Sequence, residues 1–201
     1  MNSSTKDWPP YDVGPRECMF ALGVVGVKYA QLEFALCGML STVAAMDRDA
    51  TSRFISKYRN NTRLDRMRQG LAERNWPAEI KERVSRFIDG FKVCADNRNL
   101  LMHSNIFYTS RDAIILYKSD NEGKTISCNP TLAEVRQAAD DMSTYFDYGL
   151  ALSNAINFNL IAPGTIPSPF PWPDAPAAPR SLEYTGGPQP VRGMYQDIKP
   201  S

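Results

Sequence analysis

Three stretches of this chain repeat apolar residues at alternating spacings of three and four, and that pattern commits most of the chain to helices. Leu22, Val25, Tyr29, Leu32, Leu36, Met39 and Val43 share one face of a helix drawn from about Arg16 to Met46. Ile80, Val84, Phe87, Phe91 and Cys94 form a second seam; Val135, Ala138, Met142, Tyr145, Gly149, Leu152 and Ile156 form a third, ending near Leu160. Such positions fall together as an apolar stripe on a helix of 3.6 residues per turn. A stripe of that kind is buried against other helices, which points to a bundle.

Between the first two seams, Asp49–Arg74 is helical but changes phase. Phe54, Ile55 and Tyr58 form one apolar set and Leu64, Met67 and Leu71 another. Asn60-Asn61-Thr62 lies between them with low helix propensity, so a kink or short break is expected there. Pro77 suits the first turn of the helix that follows. Ala113–Lys118 and Lys124–Cys128 are β-prone and joined by Ser-Asp-Asn-Glu-Gly, a hairpin signal. Thr131 and Glu134 have capping-box spacing and start the last helix. The expected fold is all-α: an up-and-down bundle of four or five helices over residues 16–160, with a small β-hairpin before the last helix. Residues 1–15, with Pro9, Pro10 and Pro15, read as an irregular lead-in.

Ten of the fifteen prolines fall in the forty-one residues from Ile161 onward. Such a composition buries too little apolar surface to offset the entropy of ordering. Residues 161–201 are therefore expected to be a disordered, proline-rich tail, extended where Pro-Ser-Pro-Phe-Pro-Trp-Pro occurs. Ending the chain after Leu160 or Ile161 is expected to leave the thermal midpoint nearly unchanged.

Net charge is +1, so no global imbalance announces a polyanion or a membrane. Locally, Asp47 to Arg86 holds eleven Lys/Arg against six Asp/Glu, whereas Leu101 to Leu160 holds four against seven. The basic stretch is either a solvated helix face or a surface that steers a polyanion. The longest uncharged apolar runs, Cys18–Val27 and Phe34–Met46, are separated by Lys28 and Glu33. Each falls short of the ~20 residues a membrane-spanning helix needs. The polar first ten residues lack the basic region of a signal peptide. Cys18, Cys37, Cys94 and Cys128 are widely spaced and, with one histidine in the chain, do not suggest a zinc site. A cytoplasmic protein with free thiols, no membrane and no cofactor is expected.

That single histidine, His103, lies five residues after Arg98. Continuing the second apolar seam past Cys94 brings Arg98 to a core-facing position. An arginine there is costly unless its guanidinium finds a partner or opens into a cleft. Asn99 follows directly, and the segment after His103 no longer reads as helix. On a straight helix Arg98 and His103 stand about 140° apart, so they are expected to meet only if the helix breaks between them or a second copy completes the site. Glu33, at the border of the first seam, and Asp96 either orient this pair or are plain carboxylates. His103 is alternatively a charge–dipole partner of a helix C-terminus.

The run Asp96-Asn97-Arg98-Asn99-Leu100-Leu101-Met102-His103 resembles the motif of HEPN-type domains, helical bundles with an arginine, a polar residue and a histidine four to six positions after the arginine. The resemblance covers residues 16–160: a long first helix, a kinked second, a third running into the motif, and a last helix. The β-hairpin departs from the minimal bundle, and His103-Ser104-Asn105 lacks the tyrosine that some toxin members carry two residues after the histidine. The resemblance implies metal-independent RNA cleavage at a cleft between two protomers. Arg98 would bind the scissile phosphate, His103 would transfer protons and Asn99 would assist. Arg53, Lys57, Arg59, Arg63 and Arg66 would contact the RNA backbone. The partners implied are RNA, a second copy of the chain and, where activity is restrained, a protein inhibitor. The alternative is a non-catalytic helical module for protein interaction or RNA binding.

Overall fold

A computed structural model describes residues 16–110, 113–119, 125–163, 165 and 169–183. The lead-in expected over residues 1–15, the hairpin turn and the last residues of the tail, 184–201, lie outside the described residues.

Five helices form the bundle: α1 Arg16–Ala44, α2 Arg48–Lys57, α3 Asn60–Glu73, α4 Ala78–His103 and α5 Leu132–Ile156. All three expected seams face inward, Arg98 alone excepted: the other residues named in them are buried, from Leu22 to Val43, from Ile80 to Cys94 and from Val135 to Ile156. α1 packs chiefly on α5 and also touches α2, α3 and α4, so it is the central helix. Gly149 on α5 and Gly90 on α4 admit large rings. A Cβ on Gly149 would lie 2.4 Å from the Phe87 ring, and one on Gly90 would lie 1.8 Å from the Tyr145 ring.

The chain leaves α1 through Ala45, whose φ of 50° is the left-handed turn that ends many helices. Asp47 then caps α2, its carboxylate accepting from the Ala50 amide at 2.7 Å. The break expected at Asn60–Thr62 falls instead at the two residues before Asn60, Tyr58 and Arg59, because asparagine is tolerated at the start of a helix better than inside one. Pro77 is the N-cap of α4, one residue outside the helix. The Thr131/Glu134 capping box is present in both directions.

The β excursion has three strands: β1 Asn105–Ser110, β2 Ala113–Ser119 and β3 Thr125–Cys128. They pair antiparallel in the order β1-β2-β3, with Ile106 opposite Leu116 and Leu116 opposite Cys128. β1 was not expected from the sequence. It begins one residue after Ser104, so the motif-bearing end of α4 is fixed directly to the sheet.

After α5 a π-helical turn, Asn157–Ile161, closes the bundle. Residues 169–183 form no regular helix or strand, as a proline-rich stretch should, but they are not free. They lie along α4 and α5, and Trp172 and Leu182 pack against the core. Part of the tail expected beyond residue 160 is therefore laid against the bundle as a strap, residues 169–183. Local composition reads its prolines as flexible; the groove supplies the partners that fix it.

Taken whole, α1 is long and apolar enough by composition to cross a membrane. In the bundle its inner face is the core. Its outer face exposes Phe20, Val27 and Phe34, spaced by seven, with Gly23 and Ala30 exposed between them.

Candidate functional site

α4 carries Arg98 where its apolar seam would otherwise continue, between buried Cys94 and buried Leu101. The side chain is half-buried: its guanidinium carbon lies 5.3 Å from the centroid of the Tyr29 ring on α1. That stacking gives the cation a partially desolvated aromatic partner. Nη1 of Arg98 donates to Asn99 Oδ1 at 3.2 Å and lies 2.6 Å from His103 Nε2. Asn99 and His103 are exposed, so the cluster opens to solvent.

Arg98 and His103 thus meet without the expected helix break, for α4 is continuous through His103. Helical Cα–Cβ bonds tilt toward the N-terminus, which leans the His103 ring back toward Arg98. The long arginine side chain spans the remaining arc. His103 is the last residue of α4, where a charge or dipole also complements the unpaired carbonyls. Ser104 takes extended backbone, and its buried Oγ has no partner among the described residues.

Behind Arg98, polar groups link three helices. Asn60 Nδ2 donates to the Tyr29 hydroxyl, and Arg63 Nη1 donates to Asn60 Oδ1 at 2.8 Å. Arg63 also donates to the Ile55 carbonyl and sits 3.5 Å from Glu33. The motif is therefore continuous with the basic helix α2 through Tyr29, Asn60 and Arg63. Burial raises the Tyr29 phenol well above its ordinary range, with Glu33 adding to the rise; Arg98, Arg63 and the Asn60 hydrogen bond oppose it. Tyr29 is accordingly a neutral hydroxyl at any physiological pH.

The other sequence-derived candidates are not all brought together. Glu33 serves Arg63 rather than Arg98 or His103. Asp96 is exposed and forms no hydrogen bond or ion pair among the described residues. Arg53, Lys57 and Arg59 are exposed and available to an anion, whereas Arg66 pairs with Glu73 at 2.9 Å and Arg63 is consumed in the internal network. Sequence reasoning missed Tyr29 and Asn60 as members of the site. Tyr29 lies one turn before Glu33, a spacing that a neighbouring-helix arginine exploits. Among the described residues, no group of three or more His, Cys, Asp or Glu is placed to hold a metal ion.

No known protein family, curated protein or solved structure matches this chain.

Proposed function

We propose that this protein is an RNA endonuclease of HEPN type that acts as a homodimer and needs no metal. The observation that carries the reading is the contact between Arg98 and His103 on an exposed helix end, with Asn99 beside them. Arginine offers a fixed fork of donors that fits phosphate oxygens. Histidine exchanges protons near neutral pH. In the proposed reaction the RNA 2′-oxygen attacks the adjacent phosphorus while His103 Nε2 takes its proton. Arg98 neutralises the charge gathering on the phosphorane, and the bond to the 5′-oxygen breaks. That oxygen leaves with a proton from a general acid, a role for which one protomer holds a single histidine and a dimer holds two.

The outer face of α1 supports the dimer. Phe20, Val27 and Phe34 are 73%, 61% and 67% exposed, with small residues between them. The order large–small–Val27–small–large reads nearly the same in both directions, which suits the self-complementary patch a two-fold axis requires. Met102, next to His103, is 42% exposed and its Cε reaches within 3.8 Å of where a Gly26 Cβ would stand. The stripe thus borders the motif-bearing end of α4.

The test is to incubate purified protein with mixed cellular RNA, with and without EDTA, beside His103→Ala and Arg98→Ala. Cleavage that survives EDTA and leaves 2′,3′-cyclic phosphate and 5′-hydroxyl ends is expected. Single-stranded DNA, lacking the 2′-hydroxyl, should stay intact. Cutting of DNA, or activity that returns only with magnesium, would sink the mechanism. A second reading, a non-catalytic helical module, draws on the stacking of Arg98 over Tyr29, which by itself locks α4 to α1. It predicts RNA untouched by parent and variants alike.

A further inference from the structure

The hydrogen bonds that hold the strap of residues 169–183 are made mostly to its main chain, with an ion pair from Arg180 to Glu134 at 3.1 Å beside them. At one end Asn159 grips Phe170 twice, its Nδ2 donating to the carbonyl at 2.8 Å and its Oδ1 accepting from the amide at 2.7 Å. At the other end buried Asn97 does the same across two residues, donating to the Arg180 carbonyl at 2.8 Å and accepting from the Leu182 amide at 2.9 Å. Between them three groove side chains donate, Arg83 to the Pro173 carbonyl, Arg86 to Pro176 and the Tyr145 hydroxyl to Ala177, and next to Asn97 the Asp141 carboxylate accepts from the Arg180 amide at 3.1 Å. Four of the nine residues 171–179 are prolines, which have carbonyls but no N–H and so need donors only. The groove is thus matched to an extended, proline-rich backbone rather than to a particular sequence.

Side-chain fit is poorer. Phe170 stacks on Phe158 at 5.7 Å between centroids, Trp172 lies under the Arg83 guanidinium, and Leu182 touches the core. The middle of the strap is small residues, and space remains beside it. A solvent-open cleft of about 340 Å³ adjoins exposed Ala178, floored by Gly90, Val93 and Tyr145 and rimmed by Glu82, Arg86 and Asp89. Another of about 180 Å³ adjoins Ala175 between Arg83 and Arg86. A third, about 400 Å³, lies between Cys128 and Leu182.

We propose that the α4–α5 groove is a receptor for extended proline-rich peptides, with residues 169–183 as its loosely fitting internal ligand. The partner it fits is a segment with this backbone pattern and an aromatic anchor at the Trp172 position, carrying a larger apolar side chain where the strap has Ala178. Such a segment keeps every main-chain hydrogen bond and covers more of the open cleft beside Ala178, so it competes with the strap. This inference stands apart from RNA cleavage.

The test uses the full chain. A fluorescein-labelled peptide copying residues 168–184 is titrated against the parent, against a Phe170→Ala/Trp172→Ala variant with a weakened strap, and against that variant with Asn97→Ala added. An internal ligand acts at high effective concentration, so the peptide should bind the weakened variant at least about tenfold tighter than the parent. Asn97→Ala should abolish that binding. A peptide with leucine at the Ala178 position should bind about threefold to tenfold tighter still. Hydrogen exchange at the Arg180 and Leu182 amides reports strap release, and Leu182→Ala loosens the opposite end should the first pair reduce the helical signal. Amides that stay fully protected in both variants overturn the proposal, as do open straps that bind no peptide and binding that ignores Asn97.

Discussion

Nη1 of Arg98 lies 2.6 Å from Nε2 of His103, and a hydrogen bond between them runs in one direction only. Arginine has no acceptor, so this bond requires the tautomer in which Nε2 accepts and the ring proton is on Nδ1. The lone pair a general base would use is therefore engaged by the group proposed to bind phosphate. A phosphate drawing the Arg98 fork away would release that lone pair at the moment substrate arrives.

Two substitutions separate these roles. His103→Ala should lower RNA cleavage by about 10²–10⁴-fold, the range for losing a general acid–base group, with RNA affinity largely kept. Arg98→Lys keeps the charge but loses the planar fork and should weaken both. Because His103 is exposed, its thermal midpoint should move little. Single-turnover rates and filter binding on the same RNA measure the split; an unchanged rate in His103→Ala would remove the histidine from the mechanism.

The proposed dimer axis passes Val27. Val27→Glu would set two carboxylates face to face and should convert a dimer to a monomer in light scattering. Val27 is 61% exposed, so the helical signal should persist. A parent that is already monomeric at micromolar concentration would count against the dimer, and with it against a two-histidine site.

Gly90 is buried in α4 because the Tyr145 ring occupies the place of its side chain. Elsewhere in a helix, glycine to alanine gains up to ~1 kcal/mol. Gly90→Ala should instead destabilise by about 1–3 kcal/mol, the cost of overpacking a filled core. Urea unfolding at neutral pH would show it as a lower midpoint at unchanged slope; a stabilised variant would mean that Tyr145 moves freely.

The three inner seams were legible because burial alone imposes their spacing, and a run such as Leu32-Leu36-Met39 has no other use. The meeting of Arg98 with His103 was legible only as residue types. Helical angles argued against it, since they place Cα positions and ignore the reach of an arginine. The strap escaped notice for a related reason. Pro171, Pro173, Pro176 and Pro179 signal an unstructured tail locally, whereas Asn97 and Tyr145, far away in sequence, and Asn159, eleven residues before Phe170, hold their neighbours. β1 is hidden for a simpler reason: Ile106-Phe107-Tyr108-Thr109 is β-prone, but the hairpin of Ala113–Ser119 with Thr125–Cys128 is self-sufficient as a sequence pattern and does not call for a third strand.

Alkaline pH should expose the buried acids together. Burial, with Asp141 nearby, pushes the Cys94 thiol up to about 12; burial and Glu134 push Cys128 up to about 11. The Tyr29 phenol is raised too. In the unfolded chain thiols ionise near ~8.5 and phenols near ~10. The folded state therefore holds protons that the unfolded state releases, and stability falls as pH rises. It should be fully present below about pH 8 and decline through the interval up to the native values, at most ~1.4 kcal/mol per pH unit for each thiol. Urea midpoints at pH 7.5 and 9.5 measure the loss. Cys94→Ala should start from a lower midpoint, having lost a buried sulfur, yet lose less between the two pH values than the parent. Equal losses in both would show that the Cys94 thiol ionises as readily in the folded protein as in the unfolded chain.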